Sequence, residues 1–297
     1  MRGSLGKTEP IRNVVALSVF HGRLWAGCYG EGLFFWDGSQ WRRQPKCPRY
    51  ITGLAADRER LWFCTWMEGE IGSVRQEGKP PVKIPLPRLV EPRYAYRCLH
   101  IAVAGRQVWV STVLYLLRLD AGDKEIGPDW ELLILHDGGI IVPSGVDAWV
   151  GSPNGLWQYK DNLYGFCFRP VRRDIEIASM TPEPSGKALW LGTLEGTVER
   201  YETESGWRRT VFSVPLPKKA WINALALWEN RVYVAVGSPG FSASPSSSVK
   251  GGVGVYEATH QRWKWLEKVT IRDAKSLCIF DGRLWVGGVE GVQSVTL

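Results

Sequence analysis

Apolar residues fall in short runs bounded by Gly, Asp, Asn and Ser, and an amphipathic helical period is scarcely suggested anywhere. The clearest run, Gly22-Arg23-Leu24-Trp25-Ala26-Gly27, is followed after a turn by Gly32-Leu33-Phe34-Phe35-Trp36. Relatives of it recur down the chain, and each places one aromatic in a short apolar strand: Trp25, Trp62, Trp109, Trp149, Trp190, Tyr233 and Trp285. Their spacings are 37, 47, 40, 41, 43 and 52 residues. That period fits one four-stranded sheet per copy.

The flanking patterns repeat as well. An apolar strand A precedes each anchor, as in Val14–Leu17, Ile51–Ala55, Cys98–Val103, Ile222–Leu227 and Ala274–Ile279. The anchor lies on strand B, reached through a tight turn such as His21-Gly22 or Asp281-Gly282. Strand C follows at Gly32–Trp36, Tyr115–Leu119, Gly155–Tyr159, Gly196–Tyr201 and Gly252–Tyr256, and strand D carries Trp41, Trp130, Tyr164, Trp207 or Trp263. Four strands in meander order make a blade, so the expectation is an all-β, seven-bladed β-propeller forming a single domain over residues 1–297. Packing between two neighbours buries both faces of a blade, which assigns nearly every anchor ring to the core. The last copy ends at Gly291–Val295 with no fourth strand, and the segment Gly3–Thr8 is expected to pair there and cover the open edge.

Composition changes this picture little. Sixteen Trp and 33 Gly suit short strands with large packing residues and tight turns. The cysteines at 28, 47, 64, 98, 167 and 278 have no metal-ligand or redox spacing and read as buried free thiols. A net charge of +7 favours acidic partners mildly. No apolar run is long enough for a membrane span, and the N-terminus lacks a secretory leader pattern, so a monomer in the cytoplasm is expected.

Strand alternation puts B-to-C turns and D-to-A crossings on one rim of the propeller. The residues just before each strand A then collect into a ring at the channel mouth. As a binding site this ring offers Arg12, Arg49, Tyr50, Tyr96, Arg97, Arg173, Lys219, Trp221 and Arg272, and the B-to-C turns add Tyr29, Glu31, Trp66, Glu68, Tyr115, Asn154, Glu195 and Glu290. Basic groups beside aromatic platforms suit an anionic or sugar-like ligand or an acidic protein partner. Nucleic acid is disfavoured, because no recognised motif accompanies the basic residues.

Catalytic signatures are poor. No nucleophile elbow, phosphate loop or dinucleotide fingerprint occurs, and neither a metal nor another cofactor is called for. The expected function is non-enzymatic ligand or protein binding. The alternative is a propeller lyase or hydrolase with its active site at the channel mouth, for which His136 and Asp137 are the candidate proton-transfer pair.

The copies Leu24-Trp25-Ala26-Gly27, Leu189-Trp190-Leu191-Gly192-Thr193-Leu194-Glu195-Gly196 and Leu284-Trp285-Val286-Gly287 resemble the two-component-regulator propeller repeat over almost the whole chain. The resemblance implies a propeller fold and an extracytoplasmic sensor region ahead of a membrane helix and kinase. One blade, with Leu61-Trp62-Phe63-Cys64-Thr65, Gly69–Val74 and Ile84–Pro87, is similar to the repeat of streptogramin B lyase, a metal-dependent propeller enzyme family. WD-repeat and kelch signatures are absent.

Overall fold

A computed structural model describes residues 11–86, 97–121, 130–134, 138–144, 147–162, 165–241 and 249–297. Among them, strands form seven antiparallel sheets, each a meander in chain order. The first contains β1 (Val14–Phe20), β2 (Arg23–Cys28), β3 (Gly32–Trp36) and β4 (Trp41–Arg43), and the second β5 (Ile51–Ala56), β6 (Leu61–Thr65), β7 (Ile71–Val74) and β8 (Val82–Ile84). The third has β9 (Cys98–Ala104), β10 (Gln107–Thr112), β11 (Tyr115–Asp120) and β12 (Trp130–Ile134), and the fourth β13 (Ile140–Ser144), β14 (Asp147–Ser152), β15 (Gly155–Asn162) and β16 (Gly165–Arg172). The fifth holds β17 (Ile177–Pro182), β18 (Ala188–Thr193), β19 (Thr197–Glu202) and β20 (Arg208–Ser213), and the sixth β21 (Trp221–Trp228), β22 (Arg231–Gly237), β23 (Gly252–Glu257) and β24 (Arg262–Trp265). The seventh shows three strands, β25 (Ala274–Phe280), β26 (Arg283–Gly288) and β27 (Gly291–Thr296). The fold class is the seven-bladed β-propeller that the repeats predict, and all seven anchors lie on the second strand of their sheet. The expected pairing of Gly3–Thr8 with the last sheet lies outside the described residues.

The chain divides into two compact units. One comprises Ser18–Asp37 and Arg42–Glu176, and the other takes in the described residues up to Leu17, Gly38–Trp41 and Ile177–Leu297. In the first unit the core is a series of layers between successive sheets. Trp25, Leu33, Ile51 and Phe63 form one, Trp62, Ile71, Ile101 and Val110 the next, and Trp109, Leu116, Ile141 and Tyr159 a third. The second unit repeats the scheme with Trp190, Val198, Ile222 and Val234, then Tyr233, Val253, Leu284 and Val286. Trp25, Trp62 and Trp109 are fully buried. Burial of each such ring stabilises the fold by about 2–3 kcal/mol.

The glycine of Leu-Trp-x-Gly has a specific cause. A Cβ on Gly27 would stand 2.6 Å from Cγ2 of Ile51, one on Gly192 would stand 2.5 Å from Cγ2 of Ile222, and one on Gly287 would stand 2.6 Å from Cγ1 of Val14. In each case the neighbour is a β-branched residue at the start of another sheet's first strand. The motif therefore encodes the approach of one blade to the next.

The first strands share a second device. In five sheets one residue near the start of the strand is bulged out of register: Thr52, Leu99, Ala178, Asn223 and Lys275. A bulge turns the extra side chain away from its ladder position. Two of these side chains then hydrogen-bond to the adjacent sheet, Thr52 Oγ1 to the Cys98 carbonyl at 2.8 Å and Asn223 Nδ2 to the Ala274 carbonyl at 2.9 Å.

Two expectations need correction. Trp207 is not part of strand D: it precedes β20, is 51% exposed, and its amide donates to Ser205 Oγ at 3.1 Å inside a turn. Its carbonyl accepts from the Glu202 amide at 2.9 Å to close the turn, and the first three residues of β20 that follow are exposed as well. The six free cysteines are also not uniformly buried. Cys28, Cys64 and Cys98 are, but Cys167 on the outer strand β16 is exposed.

Candidate functional site

Backbone hydrogen bonds tie the crossings to the turns between second and third strands. In the first unit the Gly30 amide donates to the Arg49 carbonyl at 2.9 Å, the Trp66 amide to the Tyr50 carbonyl at 3.0 Å, and the Val113 amide to the Arg97 carbonyl at 3.1 Å. In the second, the Asn13 amide donates to Val289 at 3.2 Å and the Val289 amide to Asp273 at 3.3 Å. Crossings and these turns therefore share one edge of the sheets. The remaining turns share the other edge, as where the Ala258 amide donates to the Asn230 carbonyl at 3.0 Å.

On the first unit's crossing edge a compact cluster forms. Tyr29 and Tyr50 make an isolated antiparallel bridge, and their rings meet edge to face at 5.1 Å and 67°. The Arg97 guanidinium stands 5.2 Å over the Trp66 ring. The Tyr29 hydroxyl has a raised pKa, chiefly through burial, then through Tyr50 and Glu68, with Arg97 opposing. Tyr29, Tyr50, Glu68 and Arg97 are thus within electrostatic reach of one another. Arg49 and Arg97 are exposed, the two tyrosines and Trp66 are half-buried, and Met67 is 58% exposed.

The other expected site residues are distributed as follows. Exposed Arg173 stands 5.7 Å over the Trp157 ring of β15, away from the tyrosine pair in sequence and sheet. In the second unit, Arg12, Lys219 and Arg272 are exposed, Lys219 with φ of 64° in the turn before β21, while Trp221 opens β21 half-buried. The Arg272 amide donates to Glu290 Oε1 at 3.1 Å. Tyr96, His136 and Asp137 lie outside the described residues.

One feature of the second unit has only a faint sequence signal, a lysine inside the apolar strand β25. Lys275, 5% exposed, places Nζ 3.2 Å from Asp273 Oδ1 and 2.7 Å from Ser238 Oγ. Asp273 in turn accepts from the Ser238 amide and hydroxyl, each at 2.6 Å. Burial lowers the lysine pKa and Asp273 raises it again. The amine sits between the Asp273 carboxylate and the Ser238 hydroxyl. Its effect is to anchor the end of β22 to the start of β25.

On the opposite edge of the sixth sheet, a cavity of about 350 Å³ is lined by Glu229, Asn230, Arg231, Glu257, Thr259, His260 and Arg262. Its central carboxylate, Glu257, is engaged by Arg262 at 2.7 Å and Lys264 at 2.9 Å. Among the described residues no three His, Cys, Asp or Glu side chains group as metal ligands, and no helix is long and apolar enough to cross a membrane.

No family model matches the chain, and no curated protein matches it by sequence. Solved structures do match. The extracellular domain of BT4673 from B. thetaiotaomicron, described as a one-component system, is 15% identical with a TM-score of 0.71, over 97% of this chain and 39% of that one. The extracellular domain of BT3049 from the same organism, described as a hybrid two-component system, is 13% identical with a TM-score of 0.71, over 96% of this chain and 40% of that one. This chain therefore spans about two fifths of those proteins' structures. YCF48 bound to D1 peptide is 14% identical with a TM-score of 0.68, over 97% of this chain and 95% of that one. The extracellular placement of BT4673 and BT3049 points away from the cytoplasm and overturns the cytoplasmic expectation. The physical reason is that the repeat specifies packing, which is the same in either compartment. The likeness shows the fold: this chain is a seven-bladed β-propeller similar in structure to parts of the extracellular domains of BT4673 and BT3049.

Proposed function

We propose that the protein is a non-enzymatic binding propeller. Its ligand, an anionic or sugar-like molecule or the acidic surface of a protein partner, docks on the crossing edge, with Tyr29, Tyr50, Trp66 and Arg97 at the contact. The observation that carries this reading is the Arg97 guanidinium over the Trp66 ring at 5.2 Å beside the Tyr29–Tyr50 pair. It supplies charge, hydroxyl donors and apolar surface on loops held by a rigid frame, which is where binding sites concentrate. Arg49 and Arg173 provide further contacts on crossing loops of the same unit, and Arg12, Lys219, Trp221 and Arg272 offer basic and aromatic groups on the crossing loops of the second unit. Similar propellers occur in sensor domains, and YCF48 carries a bound peptide, which supports recognition as the use of the fold.

The test is a glycan array and a peptide array probed with the wild-type protein, Arg97→Glu and Arg49→Glu. Binding that both substitutions abolish, with unchanged melting temperatures, is the expected result. Binding that survives both moves the site elsewhere.

A further inference from the structure

We infer that the ligand of the crossing edge is a peptide segment bearing a carboxylate, gripped by Arg97, rather than a sugar. The inference rests on the binding reading above. A pyranose ring is recognised by laying its C–H face on an open aromatic plane. Here the aromatic planes are engaged among themselves: the Arg97 guanidinium covers Trp66 at 5.2 Å, and Tyr29 and Tyr50 meet edge to face at 5.1 Å.

What the cluster leaves open is the guanidinium itself. An arginine held against an aromatic ring is pre-organised, and its planar fork of N–H donors matches a carboxylate in two parallel hydrogen bonds. Arg97 is exposed, and its charge acts on the Tyr29 phenol, so a carboxylate at Arg97 lies beside that hydroxyl donor. The Gly30, Trp66 and Val113 amides are committed to the Arg49, Tyr50 and Arg97 carbonyls. Those bonds fix the loops and reduce the ordering cost of binding.

Two neighbours point to a peptide over another anion. Glu68 acts on the same phenol as Arg97. A fixed negative charge there repels a polyphosphate backbone but accepts hydrogen bonds from peptide amides. Met67 is 58% exposed beside Trp66. An adaptable thioether in solvent suits an apolar side chain of a peptide.

The experiment is fluorescence anisotropy with a fluorescein-labelled Gly/Ser peptide carrying one glutamate and one leucine. Unlabelled peptide, polygalacturonate and a neutral maltodextrin serve as competitors. The expected result is saturable binding that the unlabelled peptide displaces and the two polysaccharides do not. Arg97→Lys, which keeps the charge and loses the fork, weakens binding about tenfold or more. Arg106→Gln, in the turn between β9 and β10 on the opposite edge of the same unit, removes an exposed charge and leaves binding unchanged. Displacement by polygalacturonate as effective as by peptide assigns the site to sugar acids and overturns the inference. Arg97→Lys binding as tightly as wild type, or no peptide binding at all, overturns it too. Glycan hits on the array that vanish in Arg97→Glu and Arg49→Glu would overturn this inference while leaving the binding edge intact.

Discussion

Lys275 Nζ and Asp273 Oδ1 lie 3.2 Å apart with both residues almost wholly buried. Each depends on the other for neutralisation. Replacing Lys275 with Met strands the carboxylate, at a cost of about 3 kcal/mol or more. Adding Asp273→Asn to that variant removes the stranded charge and recovers part of the loss. Denaturant unfolding of the single and double variants measures this; a double variant no more stable than Lys275→Met would show that the pair is not the source of the loss.

Gly27 and Ile51 meet at a blade seam of the first unit, where a Cβ at position 27 would stand 2.6 Å from Ile51 Cγ2. Gly27→Ala overpacks this seam and destabilises by about 1–3 kcal/mol. Ile51→Ala opens the space the new methyl needs. The prediction is therefore negative coupling in a double-mutant cycle: Ile51→Ala costs less when residue 27 is Ala than when it is Gly. Simple additivity would assign the glycine to its own backbone and not to the seam.

How much of this could be read from the sequence depends on range. The anchors Trp25 to Trp285 and the glycines at 27, 192 and 287 encode contacts that every blade repeats, so their recurrence exposes the sheets and their order. The bulges at Thr52, Asn223 and Lys275 are invisible, because a bulge is defined by register against a partner strand and not by composition. Trp207 misleads for a related reason: the start of this outer strand is exposed, so an aromatic there does not mark a packed position. At the site, Tyr50 and Arg97 are legible as residues preceding a first strand. The stacking of Arg97 on Trp66 is not, since it joins two loops of different sheets.

His100 Nδ1 accepts the Ile141 amide at 3.2 Å, a role that requires the neutral ring, and burial pushes its pKa down to about 4. An unfolded histidine titrates near 6.5. The folded pKa is the lower, so the stability tied to His100 is fully present above pH ~6.5 and is lost as the pH falls towards 4, by up to roughly 3 kcal/mol. Unfolding free energies across that window should fall in the wild type and flatten in His100→Gln. An unchanged slope in the variant would assign the acid sensitivity to carboxylates.

The anchor indoles differ in one respect that bears on stability. Trp62 Nε1 donates to Asp57 Oδ2 at 2.8 Å, whereas Trp25 Nε1 and Trp109 Nε1 are buried without a partner among the described residues. Asp57 Oδ1 also accepts the Glu59 and Arg60 amides, each at 2.7 Å, so the carboxylate closes the turn between β5 and β6. Trp→Phe removes similar ring area at all three sites, but only at Trp62 does it also break a charge-assisted hydrogen bond. At Trp25 and Trp109 it removes an N–H already unsatisfied, which offsets part of the lost packing. Trp62→Phe should therefore be the most destabilising of the three by about 1–2 kcal/mol. Adding Asp57→Ala to Trp62→Phe should then cost less than Asp57→Ala in the wild type. Equal losses at the three anchors in urea unfolding would show that ring volume alone sets their contribution.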